Sequence, residues 1–316
     1  MAIAVFAERS EQRHELLALA SQLKGADGTA ACVLLGTGEP TEAVAYGADR
    51  VMVASDPSFA SYEVETYAGA LATLLERETF DLLLVSGTRN GNELASRVAQ
   101  RLSLGCATDC TQVEWMGSEL QVKRLYYSGR FEAVQRVLTR PAVVTMPPHR
   151  FEPLAPNPSR SGKVENIILS PSQARTKHLE TRPKVRGKQD IERAEIIVSA
   201  GRGVRKQEDL KLIAELAEVV GGQVGGSRPL TEDLKWLPAD AQVGLSGKKV
   251  RAKLYIACGI SGQIQHIVGM RDAQRVVAIN LDPSAPIFDE ADYCIVGDLY
   301  KVVPALTAAF LQLLRK

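Results

Sequence analysis

Glycines and polar residues recur beside short apolar runs in the C-terminal part of the chain. The clusters are Ser199–Val204, Gly225–Pro229, Gln242–Lys248, Gly259–His266 and Asn280–Asp282. The neighbouring apolar runs are of the kind that forms buried strands. Glycines let a backbone approach a ligand closely, and the accompanying polar side chains can bond phosphates, hydroxyls and heterocycle edges. The sequence therefore predicts a site for a dinucleotide cofactor.

The turn after the predicted strand Glu195–Ser199 has the composition of a phosphate site. It contains Gly201, Arg202 and Gly203 and leads into a predicted helix, whose first turn carries partial positive charge. We expect the glycines to let backbone amides approach an anion, and the Arg202 guanidinium suits a pyrophosphate. Because the turn lacks the third glycine of the GxGxxG pattern, a plain strand-to-helix turn is the alternative.

Two further loops carry groups suited to the face or the edge of a heterocycle. Arg228 lies between flexible glycines and Pro229, where its guanidinium can lie against an aromatic ring. The alternative is a turn with a solvated arginine. Gln242 and Ser246 lie in a glycine-broken loop, where an amide and a hydroxyl can bond the edge of a ring or simply belong to a turn.

The segment from Gly259 to His266 follows a strand-like run and begins with a glycine turn. Ser261 is predicted to be the N-cap of the next helix, which places Gln265 and His266 in its first two turns. We expect His266 to contact a ligand because a buried-type strand and a glycine turn precede it. The alternative is a polar surface residue.

Asn280, Asp282 and Asp298 follow the last two predicted strands. Polar side chains at the carboxyl end of a parallel strand point into the ligand crevice. Asn280 is therefore expected to pair with an adenine edge or ribose, and Asp282 with a ribose hydroxyl. An Asx-Pro turn is the alternative for these two, and an N-cap role also explains Asp298. The sequence has no HExxH, GxSxG or Walker pattern, which favours chemistry carried by a cofactor over hydrolysis.

The elements that must position these residues alternate between strands and helices. Apolar runs such as Asp81–Ser86 alternate with amphipathic helices, which predicts an α/β protein with two domains, each a mainly parallel sheet flanked by helices. Four successive strand-like runs from Thr111 to Met146 predict an antiparallel extension. The proline-rich stretch 147–187 is expected to be mostly irregular. The predicted domains are 1–187 and 188–316.

The composition is that of an ordinary water-soluble protein. The net charge is +1, charged residues make up 24%, and no apolar run reaches the length of a membrane span. We therefore expect no nucleic-acid partner, no membrane insertion and, without an evident signal peptide, a cytoplasmic location. The five cysteines form no CxxC pair and are expected to be reduced thiols, so no metal site is predicted.

The motifs, in their order and spacing, resemble the alpha subunit of electron-transfer flavoproteins over essentially the whole chain. They are GRGV, GGSRP, QVG-x-SGK, GISG-x-IQH, AIN-x-DP-x-APIF-x-x-ADY and IVGDL, with TRNGNELASRVAQRL in the first half. The resemblance implies FAD bound mainly by the C-terminal domain, with a sheet like the nucleotide domain of deoxyhypusine synthase. The residues it assigns to FAD binding are Arg202, Ser227, Arg228, Gln242, Val243, Gly244, Ser246, Gly247, Ser261, Gly262, Gln263, Gln265, His266, Asn280, Asp282, Asp298 and Leu299.

The resemblance also implies individual roles for several of these residues. Arg202 and Ser261 would neighbour the phosphate chain of FAD. Arg228 would pack at the isoalloxazine ring, Ser246 would reach N5 and His266 would approach the C2 carbonyl. A protonated or hydrogen-bond-donating imidazole at that carbonyl would favour the reduced ring.

The resemblance further implies a heterodimer with a beta subunit, contacted by the N-terminal domain. The protein would be an electron carrier rather than a substrate-transforming enzyme. Its electrons would come from acyl-CoA dehydrogenase-type flavoproteins of fatty acid beta-oxidation or from a reduced carrier, and pass to a quinone reductase or another acceptor. Two alternatives stay open. One is a subunit of an electron-bifurcating flavoprotein that oxidises NADH through a second FAD in the beta subunit, and the other is a non-redox adenine-nucleotide-binding regulator.

Overall fold

A computed structural model describes residues 1–36, 38–127, 129–169, 174–176, 178–180 and 190–314. The chain divides into two compact units, Met1–Thr181 and Arg182–Lys316, called here the N-terminal and C-terminal units. The predicted domain boundary near residue 187 lies outside the described residues and stays a prediction. No helix in the described part of the chain is long and apolar enough to cross a membrane.

The N-terminal unit is built around a parallel sheet covered on both faces. Its strands are β1 (Ala2–Phe6), β2 (Thr29–Leu35), β3 (Arg50–Ala54), β4 (Leu82–Ser86), β5 (Cys106–Ala107), β6 (Cys110–Met116), β7 (Glu119–Tyr126), β8 (Phe131–Val137), β9 (Ala142–Met146) and β10 (Lys163–Asn166), and its α-helices are α1 (Ser10–Leu23), α2 (Pro40–Ala45), α3 (Val64–Arg77) and α4 (Arg89–Arg101). Among the described residues, seven strands pair in the order β10-β3-β2-β1-β4-β9-β5. Leu82 and Leu84 face one apolar cluster while Leu83 faces the other. This two-sided burial explains the continuous apolar run of β4.

The strand-rich stretch from Thr111 to Met146 differs in part from the prediction. Strands β6, β7 and β8 form the expected antiparallel sheet. The prediction that Ala142–Met146 belongs to this antiparallel extension was wrong, because β9 pairs in parallel with β4 and β5. All five residues of β9 are buried, which is the pattern of a strand covered on both faces rather than of a half-exposed antiparallel strand.

The C-terminal unit repeats this architecture with a smaller sheet. Its elements are β11 (Ile196–Ala200), α5 (Leu210–Val219), β12 (Gln223–Gly226), β13 (Leu254–Cys258), α6 (Ile264–Met270), β14 (Val276–Asn280), β15 (Tyr293–Val296) and α7 (Leu299–Leu314), with single helical turns at Gln207–Asp209, Pro229–Asp233, Ala239–Ala241 and Pro286–Glu290. Five parallel strands of the described chain pair in the order β12-β11-β13-β14-β15. Their carboxyl ends therefore meet at one edge. The predicted fold class, α/β with two sheet-and-helix units, is confirmed.

The helix starts near this edge differ from one another. The prediction that Ser261 caps α6 was wrong, since the N-cap is Gln263 and no side chain caps this helix end. Gly259 and Gly262 have φ values of +64° and +87°, so the chain stays outside the helical region until Gln263. Asp298, in contrast, lies directly before α7 and accepts a 3.0 Å hydrogen bond from the Tyr300 amide, as an N-cap does.

We expect Leu83→Ala to lower the free energy of unfolding of the N-terminal unit by about 2–5 kcal/mol, because it leaves a cavity in a close-packed core. Leu83 is fully buried. Urea unfolding followed by the fluorescence of Trp115 checks this change. The matched control is Leu179→Ala, which truncates an exposed leucine of the same unit and should change stability by no more than about 0.5 kcal/mol. If both variants lowered the free energy of unfolding equally, Leu83 would not be packed in the core as the structure shows.

Candidate functional site

A cavity of about 840 Å³ lies at the carboxyl edge of the five-stranded sheet. Its size and its place beyond the strand ends are typical of cofactor sites in open α/β sheets. The predicted residues that line it are Arg202, Ser227, Arg228, Gln242, Val243, Gly244, Ser246, Ser261, Gln263, Gln265, His266, Asn280, Asp298 and Leu299. Gly247, Gly262 and Asp282, which were also predicted, are not among the lining residues.

Other lining residues were missed by the sequence analysis. They are Gly203, Pro229, Leu245, Gly259, Ile260, Ile279, Leu281 and Gly297. Gly203, Pro229 and Gly259 belong to motifs that the sequence analysis had quoted, so their position was available as a signal. Ile260 and Ile279 also lie within such motifs, but their residue type gives no signal, because an apolar residue at a strand end looks the same in sequence whether it packs in the core or lines a cavity.

The glycines of the first turn pack against a neighbouring turn instead of offering free amides. A Cβ on Gly203 would lie 2.7 Å from the Gly259 Cα, and one on Gly201 would lie 2.2 Å from the Gly259 carbonyl oxygen. The Gly203 amide donates to Gly259 O at 3.0 Å, and the Gly201 amide to Cys258 O at 2.9 Å. These two amides are therefore used within the protein, and the expectation that backbone amides of this turn approach an anion does not apply to them. The exposed Arg202 side chain between them is the group suited to a phosphate.

A buried amide positions the hydroxyl of Ser246. Gln242 is 3% exposed. Its Oε1 accepts a 3.0 Å hydrogen bond from Thr231 Oγ1, and its Nε2 donates a 2.9 Å hydrogen bond to Ser246 Oγ. Ser246 accepts in this contact, so its own proton can be donated to a cavity ligand. Thr231, in the helical turn after Arg228, had no signal in the sequence.

The turn after β12 places one cation and one unpartnered hydroxyl at the cavity. Arg228 is exposed and lines the cavity, whereas Ser227 beside it is buried. Within the described part of the chain, Ser227 Oγ is buried and has no hydrogen-bond partner. A buried hydroxyl without a partner costs free energy, which a ligand acceptor would recover.

His266 is a buried residue and not the polar surface residue of the alternative interpretation. It is a lining residue of the cavity, and its Nε2 lies 2.9 Å from the Tyr255 hydroxyl. Burial lowers the pKa of His266 to about 4, and the nearby Val243 backbone only partly offsets this. The imidazole of the ligand-free chain is therefore neutral at pH 7. The sequence analysis allowed a protonated imidazole or a neutral one that donates a hydrogen bond, and only the neutral one agrees with this pKa.

The segment after β14 has the turn geometry of the alternative interpretation. Asn280 Nδ2 donates to Ile260 O at 2.8 Å, and Asn280 Oδ1 accepts from the Asp282 amide at 3.0 Å. Asp282 Oδ1 accepts from the amide and hydroxyl of Ser284, which lowers the pKa of Asp282. Asn280 nevertheless lines the cavity. Its side chain fixes the turn that follows β14 and links it to the Ile260 segment, so a ligand role would be additional.

The donor set of this cavity fits a dinucleotide such as FAD. Two exposed arginines, Arg202 and Arg228, line it together with Ser227 and Ser246. Such donors suit a pyrophosphate and the acceptor atoms of a heterocycle. The glycine packing at Gly203, where a side chain would meet backbone, keeps the cavity floor open.

Two sequence families match the chain, one for each unit. The family described as "Electron transfer flavoprotein domain" matches residues 6–172, and the family described as "Electron transfer flavoprotein FAD-binding domain" matches residues 190–271. The second match covers most of the lining residues but stops before Asn280.

Several curated proteins are similar to the chain over most of its length. "Electron transfer flavoprotein subunit alpha" of Bacillus subtilis is 38% identical over 304 residues, covering 95% of this chain and 92% of the relative. The protein of the same name from Thermoanaerobacterium thermosaccharolyticum is 40% identical over 267 residues, covering 83% and 81%. "Protein FixB" of Azotobacter vinelandii is 40% identical over 314 residues, covering 95% and 84%.

The buried His266 should make the stability of the ligand-free chain depend on pH. Its pKa is about 4 when folded and 6.5 when unfolded, so the unfolded chain binds the proton first as the pH falls. The contribution of the neutral His266 to the free energy of unfolding is therefore complete above pH 6.5 and is lost as the pH falls towards 4. Between pH 7.5 and 5 the loss should be about 2 kcal/mol.

Urea unfolding of the full chain at these two pH values measures this loss, with Trp236 fluorescence in a Trp115→Phe background as the signal. His266→Gln should lower the difference between the two pH values by about 2 kcal/mol, because it removes the titrating group. If the free energy of unfolding of the variant changes with pH as much as that of the parent chain, His266 is not buried in its neutral form.

Proposed function

The chain belongs to the family of electron transfer flavoprotein alpha subunits, and from this we propose that it forms a heterodimer with a beta subunit and binds FAD in the C-terminal cavity. The observation that carries the proposal is that the predicted FAD residues, taken from six separate segments, meet around one cavity of suitable size and donor chemistry. In this role the chain is an electron carrier. FAD supplies the redox chemistry, and the protein supplies binding, orientation and electrostatics.

Each group at the cavity has a distinct task in this proposal. Arg202 neutralises the pyrophosphate, and Arg228 places a fixed positive charge beside the isoalloxazine ring, which favours its reduced, more negative form. Ser246, held by Gln242, donates its hydroxyl proton to a ring acceptor such as N5. His266 donates from a neutral imidazole towards the C2 carbonyl. None of these side chains breaks or forms a bond in a substrate.

The redox partners are proposed at the level of chemical class. Acyl-CoA dehydrogenase-type flavoproteins would donate electrons, as in fatty acid beta-oxidation, and a quinone reductase would accept them, in the cytoplasm. The family membership supports an electron-transfer role.

Purification of the co-expressed alpha and beta chains tests the proposed function. We expect a yellow heterodimer with a flavin absorption spectrum and one releasable FAD per dimer, which NADH does not bleach. Two FAD per dimer with bleaching by NADH would instead support the electron-bifurcating alternative. A colourless pair that retains only an adenine nucleotide would contradict the proposal and support the non-redox regulator.

We further propose that the antiparallel sheet β6–β8 contacts the beta subunit. Several large apolar side chains on its edge strand β8 and beside it are exposed. Phe131 and Val134 are 62% and 56% exposed, Leu138 is 84% exposed, and Tyr127 packs edge-on against Phe131. Exposed apolar side chains on an open strand edge are a liability in a monomer and are typical of a protein interface.

Val134→Glu should weaken the heterodimer by at least about tenfold in Kd, or ~1.4 kcal/mol, because it places a charge in an apolar contact. Size-exclusion chromatography and analytical ultracentrifugation of the co-expressed pair measure this change. Glu76→Lys, on the exposed surface of α3, is the matched control and should leave assembly unchanged. Full assembly of the Val134→Glu pair would show that the interface lies elsewhere.

A further inference from the structure

A buried phenol on β13 contacts the histidine of the cavity. Tyr255 is 0% exposed, and its hydroxyl lies 2.9 Å from Nε2 of His266 on α6. Tyr255 itself is not a lining residue of the cavity. It can therefore act on a cavity ligand only through the imidazole that it touches.

The phenol of Tyr255 is the donor in this hydrogen bond, because it keeps its proton and needs an acceptor. Burial raises the pKa of Tyr255 well above its usual value, with the Ser199 hydroxyl opposing, so the phenol keeps its proton. In the described chain, His266 Nε2 is the one acceptor that Tyr255 meets with ordinary hydrogen-bond geometry, since Ser199 Oγ forms no such bond. A buried hydroxyl needs an acceptor. Tyr255 therefore donates, and Nε2 of the neutral ring carries no proton.

The second ring nitrogen must then carry the proton of the neutral imidazole. Nδ1 of His266 is buried beside the Val243 backbone but has no well-formed hydrogen bond within the described residues. A buried N–H whose one contact, with the Val243 backbone, is poorly formed would gain free energy from a better acceptor such as a ligand carbonyl. Val243 and His266 both line the cavity, so a cavity ligand is the natural acceptor.

We infer that Tyr255 is a positioning residue, which holds His266 in the tautomer with its proton on Nδ1 and so makes a neutral imidazole a hydrogen-bond donor to the cavity ligand. This inference rests on the proposed function, since it assumes that the ligand is FAD with a ring carbonyl near His266. Without the phenol, Nε2 loses its donor and the ring can place its proton there instead. Nδ1 would then present a lone pair towards the carbonyl, which weakens the stabilisation of the reduced ring.

The tautomer can be measured without any flavin. The experiment uses the full chain with its beta partner, labelled with ¹⁵N-histidine and stripped of FAD, and the His266 signal is assigned from its loss in His266→Gln. We expect the Nδ1–H tautomer in the parent pair and a substantial Nε2–H population in Tyr255→Phe. An Nε2–H tautomer in the parent pair would overturn the inference, even if Tyr255→Phe failed to fold.

The consequence for the cofactor is measured with a double-mutant cycle on the FAD-loaded heterodimer. We expect Tyr255→Phe to retain FAD and to shift the one-electron equilibrium about tenfold away from the reduced form, ~59 mV. His266→Ala should lower the potential at least as much, and Tyr255→Phe should add nothing to it, because Tyr255 acts through the imidazole. An additive second shift, or an unchanged potential in Tyr255→Phe, would overturn the inference.

These results separate the inference from the proposed function. A parent pair that binds no FAD contradicts the proposed function, while the tautomer measurement still decides the role of Tyr255. If the parent pair binds one FAD per dimer but Tyr255→Phe leaves the reduction potential of that FAD unchanged, only the inference is contradicted.

Discussion

Two glycine turns pack backbone against backbone at the carboxyl edge of the five-stranded sheet, and the cavity depends on this contact. Gly201 and Gly203 follow β11, Gly259 follows β13, and a Cβ on either of the first two would collide with the other turn. Because β11 and β13 are neighbours in the sheet, the close contact brings both turns into one cavity floor. A side chain at either position would force the turns apart and misplace every group that follows.

Buried hydrogen bonds orient the polar side chains around the cavity floor. Gln242 fixes Ser246 through one contact and is itself fixed by Thr231, and Tyr255 fixes His266. In both cases a residue outside the lining, Thr231 in the first and Tyr255 in the second, helps to determine which proton is offered to a ligand. Groups oriented before the ligand arrives need no reorganisation when charge develops on it, which is how a protein tunes a cofactor by electrostatics.

The two units use the same architecture for different purposes. In the C-terminal unit the strand ends carry polar residues and surround a large cavity. In the N-terminal unit the parallel sheet is a packed core, and the notable surface is the exposed apolar edge of β8. These features are the basis of the two proposals made above, the cofactor site in the C-terminal unit and the partner contact in the N-terminal unit.

The sequence alone determined the α/β class, the antiparallel character of β6–β8 and most of the lining residues, because period, turn composition and motif order are local properties. It could not determine the parallel pairing of β9, since a run such as Ala142–Met146 has the same composition in either sheet. Nor could it show that the glycine amides are used within the protein, or that Gln263 rather than Ser261 begins α6. The contact between Tyr255 and His266, on separate elements, was likewise decided only by the tertiary structure. Burial and hydrogen-bond direction depend on neighbours distant in sequence, and these neighbours exist only once the chain has folded.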